Sequence, residues 1–149
     1  MARQVDVGGK PIAARTAVAV GELTLAPATR AAVRRRRVEK GDPIAAGELA
    51  GLLAMKRTSE LIPHCHAVRL TGSRVELRVH PRGVRVRSEA SALDRTGVEM
   101  EALVGATVAL LTVWDMVKYL EKDRRGLYPT TRLGPVRVLA KRKEAAAQP

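Results

Sequence analysis

The chain has 149 residues and a mass of 16.1 kDa, with 46% hydrophobic and 28% charged residues, which suits one globular domain with a sizeable core and excludes a disordered tail. It sets 27 Lys and Arg against 15 Asp and Glu, for a formal net charge of +12, so an anionic partner is expected: nucleic acid, a membrane surface or a polyanionic metabolite. A single cysteine, Cys65, rules out an internal disulfide and a Cys-rich zinc site and favours a reducing, cytosolic compartment.

The N-terminus lacks the apolar run of a signal peptide, and the apolar stretches read as too short to span a bilayer, so no membrane role is expected. With no Phe, one Trp and two Tyr, the core must be aliphatic and platforms for stacking bases few. In chain order, residues 16–25 alternate as a strand does. From Pro27 to about Arg37 an Ala- and Arg-rich run reads as a helix with proline in its first turn. Lys40-Gly41 makes a stop, and Asp42-Pro43 an N-cap with an N1 proline, opening a helix to about Leu61 that ends before Pro63. Between Ala67 and Ala92 the period becomes two: Val75, Leu77 and Val79 alternate with Arg74, Glu76 and Arg78, then Val84 and Val86 with Arg85 and Arg87. Pro81-Arg82-Gly83 punctuates this antiparallel hairpin, whose Arg- and Glu-rich face is left to solvent or to assembly. Thr96 and Glu99 have capping-box spacing at the start of a helix to about Lys122. A last strand follows Gly134-Pro135, from Val136 to Ala140, with fraying expected from Lys141. The expectation is one domain over residues 1–143 and a disordered tail at 144–149. The order strand, helix, helix, strand, strand, helix, strand implies an α+β fold with about four antiparallel strands and helices on one face.

Three groups of residues could carry chemistry. Asp115 and Lys118, at i and i+3 beside Trp114, Met116 and Tyr119, are either an ordinary helix ion pair or an acid/base pair holding each other's charge. Glu99 and Glu101 either serve the helix start or act on a substrate. His64 and His66 could share a strand face as metal ligands, but no further ligand is identifiable, and a neutral catalytic or substrate-binding role or a structural one is open to them. Arg34 to Arg37 point in nearly all directions around a helix and cannot make one phosphate-tracking face. Fourteen residues separate Glu101 from Asp115, about 21 Å along a helix axis. If both ends are catalytic, the substrate is elongated or the site is assembled between subunits.

Lys40-Gly41-Asp42, Met55-Lys56-Arg57-Thr58, Leu61-Ile62-Pro63-His64-Cys65-His66, Thr96-Gly97-Val98-Glu99-Met100-Glu101-Ala102-Leu103 and Asp115-Met116-Val117-Lys118 together resemble the MoaC family, the cyclic pyranopterin monophosphate synthases of molybdenum cofactor biosynthesis. The resemblance runs from Val5 to about Lys141. It implies a ferredoxin-like subunit in a homohexamer, a trimer of dimers, with active sites between subunits. The implied activity is a lyase-type rearrangement of a 3',8-cyclo dihydroguanosine triphosphate into cyclic pyranopterin monophosphate with loss of pyrophosphate. Such a reaction calls for proton transfers and a triphosphate cradle but no redox cofactor; no cofactor and no metal-ligating residues are expected in the chain. By motif, Asp115 and Lys118 correspond to the catalytic pair, Lys118 as acid/base and Asp115 orienting it. Lys40, Cys65, His66, Glu99, Met100 and Glu101 correspond to substrate-binding positions, Arg15 and Lys141 to phosphate contacts, and Lys56 is a further candidate. This chain departs from the family pattern at His64 and Ala67, which replace Leu and Pro around Cys65-His66, at Val117 in place of Cys, and in its Lys- and Ala-rich C-terminus. The alternative of another class is a small basic nucleic-acid-binding protein, which would lose affinity steeply with salt.

Overall fold

The computed structural model describes residues 1–145. Its elements are β1 (Ala13–Thr24), α1 (Pro27–Arg34), α2 (Pro43–Met55), α3 (Thr58–Leu61), β2 (Leu70–His80), β3 (Gly83–Asp94), α4 (Glu99–Glu121), β4 (Arg132–Leu133) and β5 (Arg137–Ala145). The fold is α+β, as expected. Five antiparallel strands form one sheet in the order β2-β3-β1, and β4 and β5 lie end to end along the far side of β1. The hairpin turns at Pro81-Arg82, with His80 opposite Gly83.

The core lies between the sheet and the helices. Ala17, Ala19 and Leu23 of β1, Val84, Val86, Ala90 and Ala92 of β3, and Val75 and Leu77 of β2 meet Ala102, Ala106, Leu110, Val113 and Val117 of α4. Small residues let the layers approach closely. A Cβ at Gly21 would stand 2.9 Å from Val136 and 3.2 Å from Leu110, and one at Gly51 of α2 would stand 2.8 Å from the carbonyl oxygen of Gly105 on α4. The buried Glu121 carboxylate accepts from the Ala26 amide at 3.1 Å and from the Thr131 hydroxyl, tying the end of α4 to the start of α1 and the approach to β4.

Several boundaries differ from expectation for local physical reasons. The helix expected from Pro43 to Leu61 breaks after Met55, where Arg57 leaves helical geometry and the buried Thr58 hydroxyl donates to the Met55 carbonyl at 2.9 Å. The run to Arg37 ends at Arg34, and Arg36 adopts φ +53. Thr96 does not cap α4. The N-cap is Val98, and the Thr96 amide is taken by the Asp94 carboxylate at 3.3 Å in the preceding turn, so Glu99 is the first helical residue rather than the third. Instead of fraying from Lys141, β5 continues to Ala145, pairing Lys141 with Ala17 and Ala145 with Ala13; residues 146–149 of the expected tail lie outside the described residues. Contrary to the sequence expectation, α4, with 23 residues and a mean hydropathy of 1.5 in an 18-residue window, is by length and composition alone long and apolar enough to cross a membrane. Here it is the central core helix, packed on the sheet along one side and on α2 along another.

Candidate functional site

The motif residues fall into two clusters at opposite ends of α4. Toward its C-terminal end, the Asp115 carboxylate is held by two ammonium groups. Lys118, one turn on, donates to Oδ1 at 2.6 Å, and Lys40 donates to Oδ2 at 3.0 Å and to the Asp115 carbonyl at 3.1 Å. Lys40 comes from the turn between α1 and α2. The buried Val38 anchors that turn, Gly41 closes it at φ +103, and Asp42 caps α2 by accepting from the Ile44 and Ala45 amides. Tyr119 adds a contact that the motifs do not mark: its hydroxyl accepts from the Glu39 amide at 2.9 Å. Its place four residues after Asp115 is the signal, because that spacing puts both on one helix face.

The hydrogen bond from Lys118, and then that from Lys40, hold the Asp115 carboxyl below the usual carboxylate range, while Asp115 raises the Lys118 ammonium above the usual lysine range. The pair is therefore an ion pair at neutral pH, with Lys118 set to give a proton rather than to take one. The side chains of Asp115 and Lys118 are 56% and 43% exposed, so within one chain it is their mutual contact, not burial, that sets these charge states. The Tyr128 ring meets Trp114 edge-on at 5.6 Å and 87°, forming an aromatic wall one turn before Lys118.

At the other end of α4, the register of β1 and β5 brings three groups together. Arg15 lies on the helix side of β1, with Nη2 donating to the Arg95 carbonyl at 3.2 Å. Lys141 sits opposite Ala17, on that same side, and reaches Glu99 Oε1 at 3.0 Å. Arg15, Glu99, Lys141, Arg142 and Lys143 line a depression of about 300 Å³. Burial would raise the Glu99 carboxyl, but the Lys141 bond, the residue's own amide and the Lys141 and Arg15 charges outweigh it and hold it low. Glu101, one position past the exposed Met100, is buried. Its Oε1 accepts from the Cys65 thiol at 3.8 Å and its Oε2 has no partner within the described residues. Burial raises this carboxyl despite the bonds from its own amide and Cys65, and burial together with the Glu101 charge raises the Cys65 thiol. His66 Nε2 donates to the Val5 carbonyl at 2.7 Å. Cys65 and His66 thus stand at this end through Glu101 and the N-terminal segment.

Lys56 joins neither cluster; it lines a separate depression with Val68, Leu70 and Ser73. A concavity of about 850 Å³ on the opposite sheet face contains none of the motif residues. Three of its basic side chains are already paired, Arg85 with Glu22, Arg78 with Glu76, and Arg87 with Glu89, so these cations are engaged within the sheet face rather than free for a polyanion.

A lysine–aspartate ion pair at one end of a core helix and a basic depression beside a buried carboxyl at the other define an α+β protein whose titratable groups suit acid/base chemistry and whose depression suits an anion. A family model described as MoaC family matches residues 4–144, and the chain belongs to that family. It is 45% identical over 146 residues to a Pyrococcus abyssi protein named "Probable cyclic pyranopterin monophosphate synthase", covering 98% of this chain and 92% of that one. Proteins of the same name from Sulfolobus acidocaldarius and Archaeoglobus fulgidus are 46% and 47% identical over 139 and 141 residues, covering 93% and 95% of this chain and 97% and 90% of theirs.

Proposed function

We propose that this chain is a cyclic pyranopterin monophosphate synthase of molybdenum cofactor biosynthesis, turning the cyclic dihydroguanosine triphosphate into cyclic pyranopterin monophosphate and pyrophosphate at a site shared between subunits. The observation that carries the mechanism is the Asp115 carboxylate gripped by Lys118 and Lys40. It makes Lys118 a fixed ammonium, able to protonate a leaving or ring atom and to be reprotonated beside a constant counter-charge. Arg15 and Lys141 would hold the triphosphate, with Glu99 keeping Lys141 in place. Glu101, whose carboxyl is raised by burial, would exchange a proton with the substrate, and His66 would contact it through Nδ1, the ring nitrogen not bound to Val5. Lys56, Cys65 and Met100 complete the proposed substrate contacts.

The two clusters are about 21 Å apart along α4, so one chain cannot bring both to one small substrate. Assembly is supported by the outer face of the helix layer, where Leu49 and Leu53 of α2 and Leu111 of α4 are 60%, 49% and 46% exposed, apolar area of the kind that a partner subunit covers. A homohexamer of three dimers, in the cytoplasm, fits this reading, and the last strand lying beyond β1 supports the ferredoxin-like description. The test is Lys118→Ala: conversion of the cyclic nucleotide should be lost while circular dichroism and particle size stay unchanged. Retained turnover in that variant would overturn the assignment.

A further inference from the structure

Lys40 contacts Asp115 across 75 positions of sequence, and its stem of four methylenes is flexible, so its precision depends on how the backbone beneath it is held. On one side that backbone is anchored by Val38 in the core, and on the other by the Asp42 cap and the left-handed Gly41. Between these anchors, the Glu39 amide is bound by Tyr119 Oη at 2.9 Å. Asp115 and Tyr119 are one helical turn apart on one face of α4, so the helix that presents the carboxylate also grips the chain one residue before the lysine that meets it.

We propose that Tyr119 is a positioning residue for Lys40, and through Lys40 sets how the Asp115 negative charge is divided between two ammonium groups. With Lys40 in place, each carboxylate oxygen has its own cation. If Lys40 drifts, Asp115 relies on Lys118 alone, which then holds its proton more tightly and gives it up less readily. Tyr119 thereby tunes Lys118 without touching it. The charged groups around Asp115 are these two lysines, with Tyr128 adding a weaker influence on Lys118. This inference rests on the acid/base role proposed for Asp115 and Lys118.

Tyr119→Phe keeps the ring and removes the hydroxyl. In the full chain without substrate, the Asp115 carboxyl carbon, followed by nuclear magnetic resonance, should titrate at a higher pH in Tyr119→Phe than in the parent. On a Lys40→Met background the same substitution should produce no further change. Turnover should fall about five-fold in Tyr119→Phe, the worth of one ordinary hydrogen bond, and should not fall further once Lys40 is gone. An unchanged Asp115 midpoint, or an equal shift with and without Lys40, would overturn the positioning role. A Lys40-dependent shift with turnover unaffected would uphold it and count instead against the acid/base role of Asp115.

Discussion

At Glu101 a carboxyl is almost fully buried, with a weak thiol donor on one oxygen and no partner among the described residues on the other. Ionising it there costs more than in water, so the folded chain holds its proton to a higher pH than the unfolded chain does. Over that window the folded state binds more protons, and stability must fall as pH rises from about 4.5, the ordinary value, through the raised folded value. Glu101→Gln replaces the protonated carboxyl with a neutral group of the same shape and removes the penalty. Its melting temperature should exceed the parent's near pH 8 by about 2 to 4 °C, the shift that ~1 kcal/mol gives in a domain of this size. The advantage should vanish near pH 4, where the parent is itself protonated. An equal advantage at both pH values in a calorimetric scan would mean that repacking, not ionisation, is responsible. Turnover should fall in this variant, since Gln cannot pass on a proton.

Among the elements, the contact of α2 with α4 fixes where Asp115 and Glu101 stand, and it is made of backbone rather than of large side chains. Gly47 and Gly51 face Gly105 and Ala109; a Cβ at Gly51 would lie 2.8 Å from the Gly105 carbonyl oxygen and 3.1 Å from the Ala109 Cβ. Gly51→Ala gains up to ~1 kcal/mol of helix propensity but drives a methyl against a carbonyl that cannot rotate away, an overpacking cost of about 1–3 kcal/mol. The net should be destabilising, read as a lower urea midpoint with an unchanged slope; a higher midpoint would show that the helices can separate without cost. This seam was not legible beforehand, because glycine in a helical run signals only a weak helix until its neighbour is known. The alternating hairpin from Val75 to Val86 was legible, and so was the proline-marked start of α2, since each rests on local pattern. The far half of β5 was not: Lys141-Arg142-Lys143-Glu144 has no apolar alternation, and it is a strand because β1 offers it a free edge. In the site, Asp115 and Lys118 were legible as an i,i+3 pair. Lys40 was reachable through its family motif alone, and the capping box at Thr96 failed because Asp94 competes for the Thr96 amide.

For the whole molecule, the separation of the two clusters is the decisive feature. The proposed shared site would take Lys118, Asp115 and Lys40 from one chain and Glu99, Glu101, Arg15 and Lys141 from the other, so that each chain would give half of two different sites. Lys118→Ala and Lys141→Met then damage opposite halves, and each alone should be inactive or nearly so. When the two variants are unfolded together and reassembled in equal amounts, about half of the dimers should contain one of each. In such a dimer one site carries both substitutions and the other carries neither, because a two-fold axis exchanges the contributed surfaces. About one quarter of the parent activity should therefore return in the mixture, while either variant reassembled alone stays inactive. A site contained within one chain cannot be repaired this way, so a mixture no more active than its parts would place both clusters' chemistry within a single subunit and leave the distance between them unexplained by assembly.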